Sequence, residues 1–235
     1  MIVSTEKGIA YPEALGSFQK PGTGVWSIDR IGAASIEALD SATMTEVQSS
    51  GDGATLHVKD PVVFDSPAGG TALMFCSHPF GWSSSNTGLA KRGEGEGEFV
   101  LQTRSVLERG ATWDVACARV TDRLAVPQVG LLAGLPPLSL YFYDGAECLR
   151  SLDENAKAVS RPRGYSCEEL GGLAWGWDAE FPKMQRLSLD FPLFTSPHGT
   201  GCSRYVSTLK TQDGIMATWQ KSQPDRSQPL VGNFL

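Results

Sequence analysis

His57-Val58-Lys59-Asp60-Pro61-Val62-Val63-Phe64, then Asp65-Ser66-Pro67-Ala68-Gly69-Gly70, then Thr71-Ala72-Leu73-Met74-Phe75-Cys76-Ser77 is the stretch from which the fold can be read. Two runs rich in β-branched and aromatic residues flank a turn of glycine and proline. That pattern predicts a β-hairpin. The first run stands out because it opens on charge, Lys59 and Asp60, before its apolar part.

The same grammar recurs on either side. Val25 to Ser35 begins with alternating apolar and polar residues, as a strand does. Further strands are predicted over Glu98 to Ser105, Val115 to Val120, Leu138 to Tyr143 and Glu169 to Trp175. A final hairpin is predicted from Ser203 to Lys210 and Ile215 to Lys221, joined by Thr211-Gln212-Asp213-Gly214. Tyr143-Asp144-Gly145 reads as a turn. Residues 48–53, 93–98 and 150–164 read as turn, hairpin tip and loop, and residues 1–24 as an irregular arm. Residues 36–47 are the one place where a short helix is weighed. With 26 glycines and 14 prolines in 235 residues, short strands and many turns are favoured over long helices.

Two elements repeat. Polar openings before an apolar run occur at Lys59-Asp60-Pro61-Val62-Val63, at Trp113-Asp114-Val115-Ala116-Cys117-Ala118-Arg119-Val120 and at Cys202-Ser203-Arg204-Tyr205-Val206. Small-residue segments echo one another at residues 30–35, 86–91 and 170–175. Radial repetition of one sheet predicts an all-β chain, a β-propeller in a single domain over residues 1–235. A β-sandwich is the competing architecture.

The formal net charge is −6 and no basic stripe is present. Phosphate binding needs clustered Lys and Arg, so nucleic acid is not an expected partner. No run of 18 apolar residues occurs, so no membrane span is expected. The start, Met1-Ile2-Val3-Ser4-Thr5-Glu6-Lys7, has no signal-peptide pattern. The five cysteines, Cys76, Cys117, Cys148, Cys167 and Cys202, form no CxxC pair, and with three histidines they make no metal pattern. They read as reduced, small apolar residues. A cytoplasmic protein without cofactor or metal is the expectation.

These openings, with Tyr141-Phe142-Tyr143-Asp144-Gly145 and Glu168-Glu169-Leu170-Gly171-Gly172-Leu173-Ala174, resemble the five-bladed β-propeller glycosidases, the superfamily of arabinanases, xylosidases and fructosidases. The resemblance implies a five-bladed propeller whose first strands line a central pocket, a carbohydrate substrate and hydrolysis through paired carboxyl groups. About three and a half blades can be marked, against about 50 residues for each of five, so the first blade reads as truncated or degenerate. The carboxylate that the family supplies there has only Asp29 as a counterpart, in the wrong place in the motif.

The candidate catalytic residues are Asp60, Asp114, Glu168 and Glu169. The resemblance gives Asp60 a pKa-tuning or transition-state-stabilising role, and a strand-capping turn is its plain alternative. Asp114 follows Trp113, whose ring could stack on a sugar or belong to the core. One of Glu168 and Glu169 could be the proton donor, since adjacent strand residues face opposite sides. Trp113, Arg119, Tyr143, His198 and Arg204 are the candidate substrate-binding residues. A non-catalytic propeller that binds a glycan or a protein is the second functional reading.

Overall fold

The computed structural model describes residues 1–7, 25–50, 55, 57–78, 85–95, 97–146, 150–151, 165–166, 169–199, 201–225 and 227–235. They are all-β apart from short 3-10 turns. The chain divides into two compact units, Met1–Ser105 and Val106–Leu235.

The first unit holds two antiparallel sheets. One is β1 (Ile2–Lys7), β2 (Val25–Ile31) and β3 (Met44–Gln48), in that order. The other is β4 (His57–Asp65), β5 (Thr71–His78), β6 (Asn86–Arg92) and β7 (Val100–Leu107), also in chain order, β7 running across the boundary between the units. The predicted hairpin is therefore present as β4 and β5. Its turn is closed by Ser66 N–H donating to Gly70 O at 2.9 Å. Ile28, Val58, Leu73, Phe75 and Ala90 form the buried core, with Ile2, Val47 and Phe99 packed against it. Gly88 is required on β6, because a Cβ there would lie 2.6 Å from the Phe75 ring.

The second unit has a four-stranded sheet with the order β13-β12-β9-β8 and a three-stranded sheet β14-β15-β16. Its strands are β8 (Cys117–Ala125), β9 (Leu138–Ala146), β12 (Leu170–Trp177), β13 (Gln185–Arg186), β14 (Ser203–Lys210), β15 (Ile215–Lys221) and β16 (Leu230–Phe234). Between β9 and β12, β10 (Arg150–Ser151) pairs with β11 (Tyr165–Ser166). The three polar openings fall in or just ahead of β4, β8 and β14, each the first strand of its sheet. The described residues thus hold four sheets of three or four strands, each continuing from neighbour to neighbour along the chain.

Several expectations are corrected. Residues 2–7 of the supposed arm are a strand, paired with β2 from Ile2↔Arg30 to Lys7↔Val25. The pairing, rather than any alternation of its own, makes it one. Over residues 36–47 the chain makes a 3-10 turn at Leu39–Ser41 and then enters β3; β-branched Thr45 and Val47 suit the ladder better than a helix. The turn expected at Tyr143-Asp144-Gly145 is absent, because β9 runs on to Ala146 and pairs with both neighbours. Residues 51–53, 96 and 152–164 of the expected turns and loop lie outside the described residues. Cys76, Cys117 and Cys202 are buried and form no disulfide among the described residues, and Cys148 and Cys167 lie outside them. Among the described residues no helix is long and apolar enough to cross a membrane.

Candidate functional site

In the first unit, Asp60 stands on β4 where the ladder to β5 slips between Lys59 and Val62, a β-bulge. Its φ is 54°, a left-handed conformation that Asp tolerates better than most residues. Its N–H donates to Ser4 Oγ at 2.8 Å. Its carboxylate lies 3.5 Å from Cys76 Sγ and 4.0 Å from Lys59 Nζ, and the side chain keeps 25% exposure. Asp60 is therefore a held but water-reachable carboxylate.

Among its described residues, the second unit contains two buried groupings of charge. In the first, Asp114 precedes β8, is 1% exposed and receives Arg186 Nε at 2.6 Å. Tyr143 donates its hydroxyl to the same carboxylate oxygen at 3.3 Å. Arg186 also reaches the Glu108 carbonyl. Trp113 stacks on Tyr143, with ring centroids 5.5 Å apart and planes 27° apart. Burial, and then the nearby Asp114 charge, push the Tyr143 phenol well above its usual range. Gly172 makes this packing possible, since a Cβ there would strike the Tyr143 ring and come within 2.7 Å of Trp113. Asp114 and Trp113 thus sit inside the unit, against apolar neighbours. Because β8 begins only at Cys117, Asp114 and Arg119 do not share a strand.

The second grouping joins the two larger sheets of this unit. Arg119 on β8 is directly opposite Asp144 on β9, and its Nη2 lies 2.6 Å from Asp144 Oδ2. The same Nη2 lies 2.8 Å from Glu169 Oε1, just ahead of β12. Glu169 Oε2 in turn meets Nη1 of Arg204 on β14. Arg204 Nε donates to Gln220 Oε1 at 2.9 Å. The N–H of Tyr205 reaches both carboxylate oxygens of Asp144 at 3.1 Å. The guanidinium carbons of Arg119 and Arg204 lie 4.2 and 5.0 Å from the Tyr205 ring centroid. Two carboxylates and two guanidiniums neutralise one another, as buried charges must.

Burial pushes the Asp144 carboxyl up to about 6, helped by the Glu169 charge and opposed by Arg119 and the Tyr205 N–H. Burial works against the charge on Arg204, yet Glu169 more than compensates and holds the guanidinium above its ordinary value. A carboxyl whose proton affinity is raised beside a second carboxylate is the raw material of acid–base chemistry.

Of the expected site residues, the structure brings Arg119, Glu169 and Arg204 together. It groups Trp113, Asp114 and Tyr143 separately. His198 is exposed, and its backbone is what holds the turn, with its N–H on Ser196 Oγ and its carbonyl accepting from Ser222 Oγ. Glu168 lies outside the described residues. Asp144 and Tyr205 carry no signal of their own in the sequence: one is hidden in an apparent turn, the other in an apolar run. The alternation of Tyr141, Tyr143 and the intervening residues, carried one step further, would put Asp144 in a strand. No group of three His, Cys, Asp or Glu able to hold a metal occurs among the described residues.

No protein-family model and no curated protein matches the chain. A solved structure does. It is an α-L-arabinofuranosidase from Lactobacillus brevis, at 11% identity and a TM-score of 0.57, matched over 91% of this chain. The chain spans 63% of that structure's length. At this identity the likeness shows the fold alone: an all-β architecture shared with a glycosidase.

Proposed function

We propose that this protein is a glycan-active enzyme, a glycoside hydrolase on a five-bladed propeller, working through paired carboxyl groups. The observation that carries the reading is the pair Asp144 and Glu169, both held on one nitrogen of Arg119, with Asp144 inclined to keep its proton. In hydrolysis, Asp144 would give that proton to the leaving oxygen as the glycosidic bond breaks. Glu169 would act as the carboxylate that attacks the sugar or draws a proton from water. The separation of the two carboxyl groups in the substrate complex decides between the retaining and the inverting route. Arg119 and Arg204 hold the pair, and Asp60 is proposed as a further carboxylate, tested separately. Trp113, Asp114 and Tyr143 are assigned to the support of the fold. The likeness to an α-L-arabinofuranosidase makes pentofuranosides the first substrates to try.

A panel of chromogenic glycosides, led by the α-L-arabinofuranoside, tests this. The parent is expected to cleave at least one, and Glu169→Gln and Asp144→Asn to lower the rate by about 10²–10⁴-fold with the fold retained. Asp60→Asn is expected to be impaired on the same substrate. Undiminished activity in Glu169→Gln would sink the carboxylate assignment. A specific observation favours a second reading, a glycan-binding protein without catalysis: all four buried ions already satisfy one another. Retained glycan-array binding with no turnover by the parent would select it.

A further inference from the structure

Two residues other than glycine have a left-handed backbone among the described residues, Asp60 and Tyr205, each with φ 54°. They occupy the same place in their sheets. Each lies on the first strand, at a bulge, directly after a cation: Lys59 before Asp60 and Arg204 before Tyr205. In each, the N–H is taken by a side chain from the preceding sheet of its own unit, Ser4 for Asp60 and Asp144 for Tyr205. Asp accepts this conformation; a bulky aromatic residue does so only when its surroundings compel it.

We infer that Tyr205 is a positioning residue for the Asp144–Glu169 pair, its turned backbone fixing Asp144 and its ring holding Arg119 and Arg204 in place. The inference rests on the proposed function for its catalytic meaning but not for its geometry. The bulge between Arg204 and Ser207 rotates the Tyr205 N–H out of the ladder and onto both oxygens of Asp144. The ring then lies beside both guanidiniums. Arg119 carries Asp144 and Glu169, and Arg204 carries Glu169. One residue therefore touches, directly or through one arginine, every charge in the cluster. The groups facing Asp144 are Arg119 from β8, Glu169 from the approach to β12 and the Tyr205 N–H from β14, with Arg204 one step further on Glu169. No other charged side chain enters its hydrogen bonds among the described residues.

Tyr205→Phe keeps the ring and the N–H. Tyr205→Gly and Tyr205→Asn both accept the left-handed backbone but lose the ring, so either can serve if the other folds poorly. The Asp144 titration, followed by carboxyl carbon NMR in the intact protein, reads the geometry without any substrate. It is expected to stay at the parent value in Tyr205→Phe. In the Gly and Asn variants it is expected to drop toward the ordinary aspartate range, about 4, as water enters. Where hydrolysis is found, kcat should fall by about 100-fold in those two variants with KM little changed. An unchanged Asp144 titration in a folded Gly or Asn variant overturns the inference. A parent that hydrolyses nothing while the titration moves as expected overturns the hydrolase reading and leaves the positioning role standing.

Discussion

Among the described residues of the second unit, two buried aspartate–arginine pairs share the same closest distance, 2.6 Å, in different surroundings. Asp114 with Arg186 is a closed pair. One carboxylate meets one guanidinium beneath Trp113 and Tyr143, and glycine at 145 and 172 lets the rings come down. Asp144 with Arg119 is an open chain of charge. Arg119 is shared with Glu169, Glu169 with Arg204, and a strained tyrosine leans on both arginines. The contrast shows two uses of a buried ion pair. A closed pair pins an element, in this case the short strand β13, to the sheet interior. A shared chain leaves one carboxyl with a shifted proton affinity, and a shift of that kind is what acid–base chemistry needs.

Removing one arginine from each side puts the contrast to the test. Arg119→Ala strands two carboxylates with one remaining cation. Its cost should lie at the upper end of the roughly 3–5 kcal/mol expected for an orphaned buried charge. Arg186→Ala strands one carboxylate, which still accepts from Tyr143, and should lie at the lower end of that range. Urea unfolding gives both values, and a larger loss for Arg186→Ala would reverse the ranking. Gly172→Ala probes the packing above the closed pair. The added methyl meets Tyr143 and Trp113, and a loss of about 1–3 kcal/mol is expected, with the Asp144 titration untouched. A shift in that titration would mean that the two groupings are coupled and act as one.

The smallest effect is on pH dependence. Asp144 keeps its proton to about pH 6 in the folded state, against an ordinary value of 3.8. Between those values the folded state holds more protons than the unfolded one, so this group's contribution to stability falls as pH rises. Below 3.8 the contribution is fully present. Stability measured across that window should fall less steeply in Asp144→Asn than in the parent. Equal slopes would mean that Asp144 stays ionised across that window.

Much of the architecture is legible in residue order. The hairpin at β4 and β5 and the final hairpin at β14 and β15 follow from period-two patterns around glycine turns. Both are local, so their signals lie within a few residues of each other. Strands that exist only by pairing across sequence, β1 with β2 and β3 with β2, carry no comparable local mark. The site is less legible for the same reason. A tryptophan beside an aspartate points to Asp114, and in the fold Trp113 stacks on Tyr143 while Asp114 meets Arg186. Asp144 looks like a turn because Tyr-Asp-Gly is a turn sequence in isolation; Arg119, 25 residues earlier, draws it into a strand.

Residue order alone is enough for an all-β chain, for the beginnings of the sheets that open on β4, β8 and β14, and for the polar openings at Asp60, Asp114 and Arg204. Those depend on side-chain period and turn chemistry, which act over short stretches of chain. Which charges meet is settled by the folded chain and by nothing shorter. Buried ions must find partners whatever their distance in sequence, and no local pattern records that Arg119, Asp144, Glu169 and Arg204 gather around the ring of Tyr205.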